Sequence, residues 1–214
     1  MPTPESTETA TPTPTETPAP EPAGPDYTLL ARMKTVASDR TALDVKWTKV
    51  SKADGYDVFF ARCGKDYKKK DAVTVTGLRT RFSKLSWHTN YKAYVRAFKW
   101  VHGKKVYIGK ASPEVHAITG GYDDTYCNAR SVTLSRRSLT LNVGRSKAVK
   151  ARVKGVKKGR KLIRHGAAVR WYSGNVIVAV VDENGNITAR DRGRCTVYAL
   201  AMNGVRAKVN VTVE

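Results

Sequence analysis

The segment from Val169 to Val213 contains two Asn-Gly pairs, Asn184-Gly185 and Asn203-Gly204, each set between runs of alternating apolar and polar residues. Asn-Gly between alternating runs is the strongest short-range signal for a hairpin, because both residue types tolerate positive φ at low cost. The spacing predicts two-residue turns. On the last run Val205, Ala207, Val209, Val211 and Val213 fall on one face, and Arg206, Lys208, Asn210 and Thr212 fall on the other. Cys195, Val197, Ala199 and Ala201 repeat the pattern one strand earlier. Period-two alternation means one face on a core and one in water. The segment therefore reads as an antiparallel meander, with no reaction site in it.

The residue order Trp171-Tyr172-Ser173-Gly174-Asn175, then Val178-Ala179, Val181-Asp182, Asn184-Gly185, Ile187-Thr188-Ala189, Gly193 and Val197 resembles the bacterial immunoglobulin-like group 2 domain. Ser131 to Gly144 is similar to that family's first strands, and Val211 to Val213 to its closing strand. Tyr172 and Gly174 stand at serine-type positions, and the loop before Trp171 is longer and more basic than the family pattern. The resemblance implies a β-sandwich over residues 129–214.

Upstream, Leu43, Val45 and Trp47 alternate with Asp44 and Lys46, and Tyr56, Val58 and Phe60 alternate with Asp57 and Phe59. Asp54-Gly55 between them is turn chemistry. Short strands at regular spacing indicate another sandwich. These residues resemble a fibronectin type III domain over 26–119. Trp47 matches its core tryptophan, Gly55-Tyr56 the start of its third strand, and Leu85, Thr89 and Tyr91 its Leu-x-Pro-x-Thr-x-Tyr motif, with Trp87 at the proline. The resemblance implies that Tyr91 is a tyrosine corner, its hydroxyl tied to nearby backbone. There is no Arg-Gly-Asp tripeptide.

Residues 1–25 are Pro, Thr and Glu with little to bury, so a disordered, extended linker is expected there. Residues 120–128 are expected to join the sandwiches, with Tyr122 and Tyr126 large enough to pack between them. The fold expectation is all-β: two immunoglobulin-like sandwiches in tandem after a Pro/Thr/Glu-rich linker.

Charge bears on partners rather than fold. The 214-residue chain has a formal net charge of +21. Residues 1–26 hold five acids and no Lys or Arg, whereas residues 125–181 hold 14 Lys and Arg and no acid. The positive charge thus belongs to the folded part and favours anionic partners. Its densest cluster is Lys154, Lys157, Lys158, Arg160, Lys161 and Arg164, interspersed with Gly155, Gly159 and Gly166. Such a loop suits phosphate, sulfate or carboxylate groups through charge-assisted hydrogen bonds. The plain alternative is a solvated basic loop that blunts a strand edge. No specific nucleic-acid partner is expected, since no recognition helix and no aromatic platform among the basic residues can be read.

Catalytic and metal signatures are missing. Gly155 to Lys161 lacks a spacer residue and the Ser/Thr of a phosphate loop, and no helix follows. His88, His102, His116 and His165 are scattered, and the three cysteines, Cys63, Cys127 and Cys195, lack metal-ligand spacing. A Cys63–Cys127 bridge requires the fold to bring the two together, and Cys195 reads as a small buried apolar residue. Asp123-Asp124 offers too few oxygens for calcium. Trp87, Trp100 and Tyr107, with Tyr94 and Phe98, are candidates for stacking on sugar rings, although Trp87 also suits a capping role on the sandwich.

No cofactor, enzyme activity or membrane span is expected; nor does the acidic, Pro-rich start carry a signal-peptide pattern. The resemblances imply a non-catalytic extracellular module of a bacterial surface or secreted protein. Such a module acts as a spacer or adhesion segment within a longer chain, with an anionic cell-wall polymer or host glycan as partner. The alternatives are an accessory region of a secreted carbohydrate- or wall-active enzyme whose catalytic domain lies elsewhere, and a phage attachment protein.

Overall fold

The computed structural model describes residues 29–68, 72–164 and 169–214. The linker expected over 1–25 lies outside the described residues, as do His165 and Gly166. Apart from a 3-10 turn at Thr119–Gly121, the regular elements among the described residues are strands.

In the first sandwich, β1 (Ala31–Val36), β2 (Asp39–Trp47) and β5 (Arg79–Phe82) form one antiparallel sheet in the order β1-β2-β5. The facing sheet runs β4 (Val73–Val75), β3 (Gly55–Arg62), β6 (Asn90–Val101), β7 (Lys104–Ile108). The long β6 also pairs, through its first residues, with β8 (Val115–Ile118). The residues read as inward-facing lie on the core, although Phe60 is only half-buried there and Asp57 and Phe59, read as outward, are buried. Leu43, Val45, Val58, Ala93, Val95 and Ala97 are fully buried, and Trp47 and Tyr56 nearly so. Tyr91 is the expected corner: its buried ring leaves the hydroxyl to accept the Ser86 N–H at 3.0 Å.

The outward face of β3 and β6 is also largely covered. Phe59 stacks on Tyr94 with ring centroids 4.5 Å apart, and Arg96 lies 3.8 Å over Tyr107. Asp57, 3% exposed, accepts hydrogen bonds from Thr74, Lys105 and Tyr107 at 2.6 to 3.1 Å. Burial opposes its ionisation, yet these three donors outweigh it and hold the carboxyl below its ordinary range.

In the second sandwich, β10 (Ala129–Leu134) pairs with β13 (Ala151–Gly155). A four-stranded sheet runs β11 (Ser138–Leu141), β19 (Arg206–Val213), β18 (Gly193–Leu200), β15 (Arg170–Ser173), with β11 parallel to β19. A third sheet runs β12 (Ser146–Ala148), β17 (Asn186–Ala189), β16 (Ala179–Val181). Val197, Val209, Val211, Val213, Ala179 and Ile187 meet in one core, with Trp171 and Cys195 packed against it. Cys195 is half-buried rather than fully enclosed.

Both Asn-Gly turns differ from the two-residue form. Val181 pairs with Ile187, and Ala201 N–H donates to Val205 C=O, which leaves room for a longer loop at each tip. Gly185 and Gly204 have φ of 83° and 77°, while neither asparagine is at positive φ. Each glycine N–H donates to the carbonyl three residues earlier, that of Asp182 or Ala201. A turn closed this way, with glycine in the left-handed region after it, needs one permissive residue instead of two. At the first turn the Asp182 carboxylate fixes the choice by accepting the N–H groups of Asn184 and Asn186 at 2.9 and 2.8 Å.

The second hairpin tip is inserted into the first sandwich. Met202, Asn203 and Val205 are 6%, 4% and 6% exposed. Asn203 C=O accepts the Met33 N–H of β1 at 2.9 Å, and Met202 C=O accepts the His116 N–H of β8 at 2.8 Å. A Cβ on Gly204 would lie 2.2 Å from the Ala31 carbonyl oxygen, so the backbones touch where only hydrogen fits. Beside the tip, the Asn128 side chain imitates a strand. Its Oδ1 accepts from Ile118 N–H and its Nδ2 donates to Ile118 C=O, both at 2.9 Å. Arg170 donates to Glu114 C=O at 2.7 Å, and burial lowers its basicity.

Gly204→Ala is expected to destabilise the joined sandwiches by about 2 kcal/mol, combining backbone clash and positive-φ strain. Gly185→Ala, in a turn of the same type where the added Cβ meets Val149 and Trp171 of its own sandwich, should weaken only the second sandwich. Thermal unfolding monitored by an interface-specific probe at Met33 separates the two. For Asp57, the folded pKa lies below the unfolded one, so its contribution is present above the ordinary carboxylate range and is lost as pH falls through the folded value. Acid titration of stability should therefore be shallower in Asp57→Asn than in the parent protein.

Candidate functional site: a basic turn built on a buried cysteine

The basic cluster lies between β13 and a short strand, β14 (Lys161–Leu162), which pairs in parallel with β9 (Tyr126–Cys127). It is held to the segment joining the sandwiches by three main-chain bonds. Val156 N–H donates to Asn128 C=O, Lys161 N–H to Thr125 C=O, and Ile163 N–H to Cys127 C=O, at 3.0, 2.9 and 3.2 Å. At the centre sits the fully buried Cys127 thiol, 3.7 Å from Lys157 C=O and 3.9 Å from Arg160 C=O. A Cβ on Gly155 would lie 2.5 Å from that sulfur. Gly159, at φ 81°, reverses the chain. The loop is a turn wrapped around a thiol.

This frame sorts the six candidate cations. All are exposed. Lys157, Lys158, Arg160 and Lys161 occupy the turn and the start of β14. Lys157 lies 5.2 Å over the Tyr122 ring, and Arg160 reaches the fully exposed Asp124 at 4.0 Å. A contact of that length at the surface contributes little. Lys154 stands apart on β13 opposite Ser131. Arg164 turns toward the first sandwich, where it lines a cleft of about 300 Å³ with Cys63, Asn90, Tyr126 and Ile163. Four of the six therefore make one cationic turn, and the other two belong to different surroundings.

Asp123 is consumed locally: its Oδ1 accepts the N–H groups of Thr125 and Tyr126, and its Oδ2 accepts from Asn90. Among the described residues no group of three or more His, Cys, Asp or Glu could hold a metal ion. All three cysteines are free. Of the stacking candidates, Tyr94, Phe98 and Tyr107 are taken up by packing and hydrogen bonds. Trp100 is 54% exposed, and Trp87, 50% exposed, lies against Gly120 and the His88 ring. What the sequence did not reveal is the support beneath the turn, since no pattern marks Cys127 as its centre.

The family model for the bacterial Ig-like domain (group 2) matches residues 128–213. The second sandwich is thus similar to the bacterial Ig-like domain of group 2. Its Trp171, Asp182, Gly185 and Val211 do structural work: ring packing, turn closure, close backbone approach and core. The uncharacterized protein YjdB of Bacillus subtilis (strain 168) is 37% identical over 51 residues, which are 24% of this chain and 44% of that protein. The match thus spans less than half the length of that relative. A solution structure of the fn3 domain of human contactin 1 is similar at 18% identity, covering 42% of this chain and 72% of that one, with a TM-score of 0.31. The C-terminal 282-residue fragment of intimin, solved in complex with the translocated intimin receptor intimin-binding domain, is similar at 16% identity, covering 87% and 63%, with a TM-score of 0.32. The first sandwich has the strand order and the Tyr91 corner that the fibronectin type III resemblance implies. No helix among the described residues is long and apolar enough to cross a membrane.

Gly155→Ala is expected to displace the Cys127 thiol and loosen the basic turn. Hydrogen exchange at the amides of Lys161 and Ile163 should quicken while exchange in β18 and β19 stays slow.

Proposed function

We propose that this chain is a non-catalytic, extracellular segment of a bacterial surface or secreted protein, in which two docked sandwiches act as a stiff spacer that presents a basic turn to anionic polymers. The observation that carries the reading is the placement of Lys157, Lys158, Arg160 and Lys161 on one exposed turn with a fixed main-chain frame. A pre-shaped turn loses less conformational freedom on binding than a mobile loop. Exposed lysines and arginines on it suit repeating phosphate, sulfate or carboxylate groups, as in wall polymers or host glycans. The docked hairpin tip and the paired Asn128 support the spacer role, because they resist bending between the sandwiches. A bacterial surface or extracellular location fits the group 2 Ig-like domain.

The test is retention on heparin and on immobilised teichoic acid. Replacing Lys157, Lys158, Arg160 and Lys161 with Gln should shift elution from both resins to distinctly lower salt. A control quadruple at Arg136, Arg137, Arg145 and Lys147, with the same change in net charge, should shift it less. Equal shifts for the two variants would show that overall charge, not the turn, governs binding and would sink this reading.

A further inference from the structure

The cleft beside the basic turn contains a chain of groups that the spacer reading does not use. Cys63 follows β3 and His116 lies on β8, on opposite sides of β6; Cys63 N–H donates to Asn90 C=O, and His116 pairs with Lys92. This places the Cys63 sulfur 3.3 Å from His116 Nδ1. His116 Nε2 is 2.5 Å from Glu114 Oε1, and the Tyr67 hydroxyl donates to Glu114 Oε2 at 2.6 Å. His116 is 7% exposed, and its main-chain N–H is fixed by Met202 C=O. Burial opposes ionisation of Glu114, but the bonds from Tyr67 and His116 outweigh it and hold the carboxyl below its ordinary range. The ionised carboxylate selects the tautomer with the proton on Nε2, which makes Nδ1, facing the sulfur, the acceptor for the thiol proton. Nucleophile, base and orienting carboxylate stand in sequence, the arrangement that activates a thiol or hydroxyl. Cys63 is partly exposed and lines the same cleft as Arg164, Asn90, Tyr126 and Ile163.

We propose that Cys63 is a thiol-exchange site, at which His116 and Glu114 assist attack on an anionic low-molecular-weight disulfide held by Arg164. In the step, the Cys63 sulfur bonds to one sulfur of the incoming disulfide as that S–S bond breaks. The thiol proton passes to His116 Nδ1, where Glu114 stabilises the imidazolium, and then to the leaving sulfur. One thiol is consumed and one released; Cys63 is oxidised and the leaving sulfur reduced. The product is a mixed disulfide facing the joint between the sandwiches. Burial and the Glu114 charge push the free thiol up to about 11, so little thiolate exists at neutral pH and exchange depends on the base.

The test uses the full chain and two chromogenic disulfides, one dicarboxylated and one uncharged dipyridyl, with Cys63→Ser, Cys127→Ser and Cys195→Ser assigning the phases. Cys63 should react fastest at pH 7. His116→Gln should slow that phase about a hundredfold, the low end of what a positioned base supplies. Arg164→Ala should slow the dicarboxylated reagent several-fold and leave the dipyridyl one unchanged. Glu114→Gln, which keeps the Glu114 carbonyl on Arg170, provides a second loss of rate independent of the ring. Exchange at Cys63 no faster than at Cys195 would overturn the proposal. So would a rate unchanged in both His116→Gln and Glu114→Gln, or one that climbs tenfold per pH unit toward 11 as thiolate alone would.

Discussion

The contact on which the rest of this molecule depends is the insertion of the β18–β19 hairpin tip between two strand edges of the first sandwich. A sandwich of two open sheets leaves unpaired N–H and C=O groups along its outer strands, and these invite pairing with other chains. Here β1 and β8 each present such an edge, and the second sandwich covers both. Met202 and Asn203 supply carbonyls to His116 and Met33, Asn128 supplies both a donor and an acceptor to Ile118, and Arg170 takes the Glu114 carbonyl. Without the neighbouring domain, the groups on Met33, Glu114, His116 and Ile118 would need water or another strand. The two domains are therefore less like beads on a string than like a sandwich and its edge cover.

That junction also explains why the segment between the domains is ordered in so few residues. Thr119 is buried and its hydroxyl bonds to Ser86 C=O, the 3-10 turn follows, and Asn128 N–H returns to Gly121 C=O. Asp123 closes the intervening turn, and β9 then offers its edge to β14. The basic turn is an outgrowth of this joint rather than of a free loop. Cationic groups that would repel one another in a flexible segment are kept at fixed positions by main-chain bonds that carry no net charge.

Much of the fold was legible in the residues because alternation is local. Val205 to Val213 and Leu43 to Trp47 declare their inward faces without reference to any partner, and Tyr91 declares its corner through residues six positions away or fewer. What was not legible depends on pairs far apart in the chain. One exception is local: the Asn-Gly turns read as two-residue hairpins, whereas Asp182, two residues before Asn184, closes a longer loop at the first tip. Met202 and Asn203 look like solvent-exposed turn residues until the edges of β1 and β8 are in place. The basic cluster was visible as charge, but its frame around Cys127 joins residues about thirty positions apart. Cys63 and His116 looked unrelated because they meet only through the pairing of β3 and β8 with β6.

The same geometry links stiffness and chemistry. His116 is fixed by its main-chain bond to the hairpin tip and by its ring bonds to Cys63 and Glu114, while the Glu114 carbonyl is held by Arg170 of the second sandwich. The side chains of Cys63, His116 and Glu114 thus belong to the first domain, while Arg164 and the main-chain bonds that set His116 and Glu114 come from the second. A shift of the hairpin by one residue would reverse which faces of β18 and β19 meet the core. It would also remove the carbonyl that positions His116. Domain docking and the placement of His116 are consequently one constraint, since the same hairpin tip supplies the carbonyls for both.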